Sequence, residues 1–102
     1  LTVPLLSLGA KGVISVLSNV RPKRTLQMVR ACQDGDYAAA GRMQVALTPL
    51  IDALFSEINP IPVKQALSLM GIPAGLPRLP LTPLSATHLP ALEQALSAAP
   101  EP

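Results

Sequence analysis

The chain has 102 residues, of which 49% are hydrophobic and 14% are charged. This length suffices for one domain with a modest core, and the apolar composition argues against intrinsic disorder. The net charge of +2 is small and most basic residues are scattered, which argues against a nucleic-acid-binding surface. Tyr37 and Phe55 are the only aromatic residues, so the core must be aliphatic.

Two features bear on the cellular compartment. Cys32 is the only cysteine, so no internal disulfide can form, which fits a reducing compartment. The apolar N-terminal run ends at Lys11, well short of the about 20 residues that a membrane helix needs. No basic segment precedes this run, as it would in a signal peptide. We therefore expect a cytoplasmic protein.

The N-terminal third of the chain predicts a helix, a strand and a second helix. Residues 1–8 predict a short helix with Gly9 as its stop. Residues 12–17 form a β-branched, nearly continuous apolar run, which is typical of a strand buried on both faces of a parallel sheet. A loop from Asn19 to Pro22 leads into a helix from Pro22 to about Gln33.

Three further helices are predicted downstream. Asp36 should cap a helix over residues 37–55, in which Pro49 produces a kink. A helix from Pro62 to Met70 is followed by a proline-rich loop. The last helix, capped by Ser85 or Thr87, should run to about Ser97, with residues 98–102 as a frayed tail.

The predicted strand has no partner in this inventory. A strand without neighbours leaves its backbone hydrogen-bonding groups unpaired. The chain therefore either borrows at least two neighbouring strands or has lost them, and truncation of a longer protein is the simpler expectation.

Three segments with fixed spacing suggest a family. They are Gly-Ala-Lys-Gly-Val-Ile-Ser-Val at 9–16, Glu-Ile-Asn-Pro-Ile-Pro-Val-Lys at 57–64 and Arg-Leu-Pro-Leu-Thr-Pro-Leu at 78–84. Together they resemble the C-terminal third of the dihydrodipicolinate synthase family, within the class I pyruvate aldolases and lyases. The resemblance implies an α/β fold, the (β/α)8 TIM barrel. Residues 1–34 would supply its last βα unit and the preceding helix, and residues 35–102 a C-terminal helical extension.

The resemblance also implies an activity. Members of this family hold pyruvate as a Schiff base on a lysine and condense it with aspartate semialdehyde, without a metal or an organic cofactor. The catalytic lysine and a Tyr/Thr proton relay would lie upstream of Leu1, so this segment alone should be inactive. Only Ile14 maps to the active site, as a substrate-binding residue whose backbone carbonyl faces the pyruvate-derived group. A homodimer or homotetramer is implied.

Two alternatives remain open. A sister pyruvate lyase, such as N-acetylneuraminate lyase or a 2-keto-3-deoxy sugar acid aldolase, would share the barrel but take another aldehyde. A non-catalytic helical interaction module would explain the abundant helices. Such a module should unfold cooperatively as a monomer, whereas an isolated barrel segment should aggregate or lack fixed packing.

Other reactive side chains predict no catalysis. Lys11 precedes the predicted strand, on the face of a barrel opposite the active site. Lys64 should make a structural ion pair or a carbonyl contact. Ser15 has no nearby base, and His88 has no metal-ligand partners at suitable spacing. Cys32 should be a small buried apolar residue.

Two further expectations concern a loop and a surface. Glu57 and Asn59 should satisfy loop amides and pack the extension against the barrel, and Asn59 is a candidate for supporting the active site. Part of the apolar patch formed by Leu5, Leu6 and Leu8 should be an oligomer surface.

Overall fold

Six helices make up the regular structure in a computed structural model that describes all residues from 1 to 102. They are α1 (Thr2–Ser7), α2 (Leu17–Val20), α3 (Pro22–Gln33), α4 (Tyr37–Leu54), α5 (Ile61–Leu69) and α6 (Leu89–Ala98). No helix is both long enough and apolar enough to cross a membrane.

Local sequence signals account for most helix boundaries. The Asp36 carboxylate accepts a hydrogen bond from the Ala39 amide at 2.9 Å and so caps α4. Gly35 follows the end of α3 with φ of 81°, a left-handed conformation that glycine adopts at little cost. Pro22 and Pro62 lie in the first turns of α3 and α5, where the missing amide matters little.

A single aliphatic core joins α2 to α6. Its 13 buried residues come from these five helices and from the residue after α6: Leu17, Val20, Met28, Leu47, Leu50, Ala53, Leu54, Val63, Ala66, Leu92, Ala95, Leu96 and Ala99. A second, smaller cluster of Leu6, Cys32 and Ala40 holds α1 against α3 and α4. The predicted aliphatic composition of the core is confirmed.

The predicted strand is absent. Residues 10–15 have no regular structure, and Leu17–Val20 form the short helix α2, which replaces the end of the predicted strand and the start of the predicted loop. No backbone amide from Lys11 to Val16 donates a hydrogen bond. A strand exists only when a neighbour pairs with it, so a β-forming sequence without a neighbour forms no strand.

Two further predictions about the C-terminus are wrong. No side chain caps α6, which begins after His88 rather than at a Ser85 or Thr87 cap. The tail is held in place, because the Glu101 carboxylate accepts from the backbone amides of Lys23 at 3.0 Å and Arg24 at 3.4 Å. A carboxylate in this position complements the partial positive charge of the α3 N-terminus.

Candidate functional site

One segment near the N-terminus is exposed and has no regular structure. We call residues 10–16 the ledge; it leads from the end of α1 into α2. Ile14 is fully exposed and Val13 is 40% exposed. The carbonyl of Ile14 accepts no hydrogen bond. The ledge therefore presents both apolar side chains and free backbone groups, a combination that backbone pairing with a sheet would bury.

Two depressions flank the ledge. One has a volume of about 390 Å³ and lies between the ledge, α2 and the start of α5; its lining residues are Ile14, Ser15, Val16, Asn19, Asn59, Pro60, Val63 and Leu67. The other has a volume of about 320 Å³ and is mainly apolar, with walls from α1, the ledge and the end of α4. We call the first of these the α5 depression. It brings Ile14 and Asn59, two residues singled out from the sequence, to one surface.

Hydrogen bonds between residues close in sequence fix the transition from the ledge into α2. The Ser18 hydroxyl donates to the Ser15 carbonyl at 2.6 Å, and the Asn19 side-chain amide donates to the Val16 carbonyl at 3.1 Å. The Ser15 hydroxyl accepts from the Ser18 backbone amide at 3.4 Å. The only histidine bonds elsewhere, to Ser85. Ser15 therefore has the surroundings of a helix-start residue and no base that could activate it as a nucleophile.

Glu57 ties the loop after α4 to the loop before α6. Its carboxylate accepts from the Ser85 backbone amide at 3.1 Å and lies 3.7 Å from Nδ1 of His88. The same His88 nitrogen is 3.1 Å from the Ser85 hydroxyl. The expectation that Glu57 satisfies a loop amide is thus confirmed. Asn59 makes no side-chain hydrogen bond, so the expectation that it also satisfies a loop amide is wrong. No group of histidine, cysteine or acidic side chains could hold a metal.

The lysines form no reactive cluster. Lys11 is exposed, and its backbone carbonyl accepts from the Gln33 side chain at 3.3 Å. The Lys64 side chain makes no ion pair and no hydrogen bond, so the ion pair or carbonyl contact expected for it is absent. Lys64 instead lies in the first two turns of α5 with its side chain unpaired.

Cys32 and Leu6 are both buried. Cys32 packs with Leu6 and Ala40, and burial raises the pKa of its thiol, which confirms the structural role expected for it. Leu6 is therefore part of the interior, which corrects its inclusion in an exposed patch. Leu5 and Leu8 are exposed.

Sequence reasoning missed Arg21, which is only 6% exposed. Its guanidinium donates to the backbone carbonyls of Val20, Leu96 and Ala99. Desolvation by burial lowers the pKa of Arg21. The partners in α6 are more than 70 residues away in sequence, so no local pattern signals this contact.

The comparisons with known proteins agree on one family. The sequence profile of the Dihydrodipicolinate synthetase family matches residues 1–99. The chain is 49% identical over 96 residues to 4-hydroxy-tetrahydrodipicolinate synthase of Methanocaldococcus jannaschii, a match that covers 94% of this chain and 33% of that protein.

Solved structures agree with the sequence match. Dihydrodipicolinate synthase of Cyanidioschyzon merolae, solved with lysine bound, superposes with a TM-score of 0.91 at 43% identity. The alignment covers 95% of this chain and 33% of that one. The chloride-inhibited enzyme of Acinetobacter baumannii in complex with pyruvate gives 0.87 at 40% identity, covering 94% and 33%.

These relatives are much longer than the sequence described here. The chain spans about a third of the length of each of these proteins. Within that third, the profile match covers nearly every residue and the backbone agrees with the solved structures. The chain therefore belongs to the Dihydrodipicolinate synthetase family.

Proposed function

We propose that this chain is the C-terminal third of a 4-hydroxy-tetrahydrodipicolinate synthase. The complete enzyme would hold pyruvate as a Schiff base and condense it with aspartate semialdehyde, without a metal or an organic cofactor. The observation that carries the proposal is the ledge, an unpaired β-forming segment within a chain that aligns with a third of solved synthases. The pyruvate complex of the Acinetobacter baumannii relative supports the substrate.

In this proposal the ledge is the last strand of a TIM barrel. The free amides from Lys11 to Val16 would pair with neighbouring strands contributed by the rest of the enzyme. Residues 1–34 would then complete the barrel, and residues 35–102 would form the helical extension that packs against it. The apolar side chains of Val13 and Ile14, exposed in the chain alone, would become buried between the strands and helices.

The role assigned to Ile14 is to orient substrate through its backbone. Its carbonyl accepts no hydrogen bond and is free to face the pyruvate-derived group. Active sites of barrel enzymes lie at the C-terminal ends of the strands, and the C-terminal end of the ledge, Val16, lines the α5 depression together with Asn19. The Schiff-base lysine, the Tyr/Thr relay and the aldehyde-binding arginine would come from upstream residues, so the chain alone would be inactive.

The partners follow from the same proposal. We expect a homodimer or homotetramer, with part of the contact made by the exposed Leu5 and Leu8. Leu8→Asp in the complete enzyme should lower its native mass in solution, because a buried carboxylate at an apolar interface costs several kcal/mol. An unchanged native mass would contradict this assignment of the surface.

Aldehyde competition tests the activity. The enzyme that contains this chain should consume pyruvate with aspartate semialdehyde and not with N-acetylmannosamine or a sugar-derived aldehyde. The opposite preference would favour a sister pyruvate lyase. A protein that consumes pyruvate with none of these aldehydes would support the helical interaction module.

A further inference from the structure

The Arg21 side chain contacts the C-terminal ends of α2 and α6 and the methionine side chain that follows α5. Nη1 donates to the carbonyl of Val20, the last residue of α2, at 2.7 Å, and lies 3.5 Å from the sulfur of Met70, the residue that follows α5. At α6, Nη2 donates to Leu96 at 2.7 Å, and Nε donates to Ala99, the residue that follows the helix.

The physical chemistry of this arrangement is specific for arginine. The free carbonyls at a helix C-terminus carry partial negative charge, so they favour a cation placed among them. A guanidinium offers five N–H donors in a rigid plane and can bond several carbonyls at once, whereas a lysine ammonium is a point charge on a flexible stem. A buried cation requires such partners, and Arg21 has no carboxylate among its direct hydrogen-bond acceptors.

Two of the three helices form the walls of the α5 depression. Asn19 of α2 lines one side, and Val63 and Leu67 of α5 line the other. Arg21 follows α2 directly and also contacts Met70 at the end of α5, so one side chain connects both walls.

We propose that Arg21 is a positioning residue that fixes the separation of α2 and α5, and thereby the placement of the Ile14 carbonyl for pyruvate. The second half of this proposal, the placement of the Ile14 carbonyl, rests on the proposed function. Ile14 lies three residues before α2, and the hydrogen bonds of Ser15 and Val16 to residues of α2 transmit the position of the helix to the ledge.

Hydrogen exchange of the complete enzyme that contains this chain tests the first half. The variant Arg21→Lys keeps the charge but loses the planar donors; Arg30→Lys, at an exposed site on α3, is the matched control. In Arg21→Lys the backbone amides at positions 19 and 21, which donate to the carbonyls of Val16 and Leu17, should exchange about 10-fold faster, because local opening then costs less. Arg30→Lys should leave them unchanged. Equal exchange in both variants would overturn the proposal.

Kinetics of the complete enzyme test the second half. A purely structural role would reduce the number of active sites without changing kcat/KM for pyruvate per active site. The positioning role predicts that kcat/KM for pyruvate per active site falls about 10-fold in Arg21→Lys, because misplaced groups contribute less to the transition state. An unchanged kcat/KM would overturn the positioning role.

The wild-type enzyme separates this inference from the proposed function. If borohydride traps no pyruvate on it, the proposed function fails, and the kinetic half of the inference fails with it. If it traps pyruvate and the variant behaves like wild type, the inference alone fails.

Discussion

The contact between the C-terminal tail and α3 yields a quantitative prediction. The N-cap position of α3 is Arg21, whose side chain makes no capping bond, and Glu101 fills this role from the tail by accepting from the amides of Lys23 and Arg24. We expect Glu101→Ala to destabilise the chain, since it removes both the hydrogen-bond acceptor and the negative charge from the helix N-terminus.

The magnitude follows from the two contributions. Loss of a cap costs about 1 kcal/mol, and loss of a charge near a helix N-terminus costs about 0.5 kcal/mol when the site is partly exposed, as it is for Glu101. Glu101→Ala should therefore cost about 1.5 kcal/mol, which lowers the melting temperature of a chain this size by about 6 to 12 °C. Glu101→Gln retains an acceptor and should lose only the charge contribution of about 0.5 kcal/mol.

Thermal and urea unfolding followed by circular dichroism would measure these differences. Glu93→Ala is the matched control, because Glu93 is an exposed residue of α6 whose carboxylate has no partner. High salt should shrink the difference between Glu101→Gln and wild type, since the charge contribution is screened. The explanation is refuted if Glu101→Ala loses no more stability than Glu93→Ala.

Three further predictions concern the core, the thiol and the ledge. Leu50→Ala should lower the free energy of unfolding, measured in urea, by about 2 to 5 kcal/mol. Val45→Ala, on the exposed side of the same helix, should change it by no more than about 0.5 kcal/mol. Similar losses in the two variants would contradict the packing of α4. Because burial raises the pKa of Cys32, the folded state holds the thiol proton more tightly. The thiol's contribution to the free energy of unfolding should therefore decline as pH rises from the ordinary thiol pKa through the raised pKa of the folded state. Iodoacetamide should react with Cys32 faster in urea than in buffer, and equal rates would contradict its burial. Since Val13 and Ile14 of the ledge lie outside the core, the chain alone should self-associate through them, and Ile14→Asp should reduce that association in ultracentrifugation more than Val45→Asp does.

The sequence predicts what is encoded locally. Prolines, glycines and the Asp36 cap place α3, α4 and α5 within about two residues, because these signals act through neighbouring backbone groups. Residues 12–17 have the composition of a strand but remain unpaired, since pairing depends on segments outside this chain. The roles of Arg21 and Glu101 could not be predicted, because they join positions 78 and 77 residues apart.

The candidate site, like the fold, is predicted by the sequence only in part. Ile14 entered through resemblance to the family, and its free carbonyl is compatible with the substrate-facing role that remains a proposal. The α5 depression could not be predicted, because it requires the approach of two segments that are about 40 residues apart in sequence. Lys64 shows the limit of a plausible local interpretation, since its side chain found no ion-pair partner.

Borohydride trapping of the protein from its natural source, followed by intact mass measurement, tests the central claim most directly. The account predicts a protein well above 10.6 kDa, the mass of this chain, that gains one pyruvate-sized increment on a lysine outside these 102 residues. A 10.6 kDa protein without an adduct, or an adduct on Lys11, Lys23 or Lys64, would contradict it.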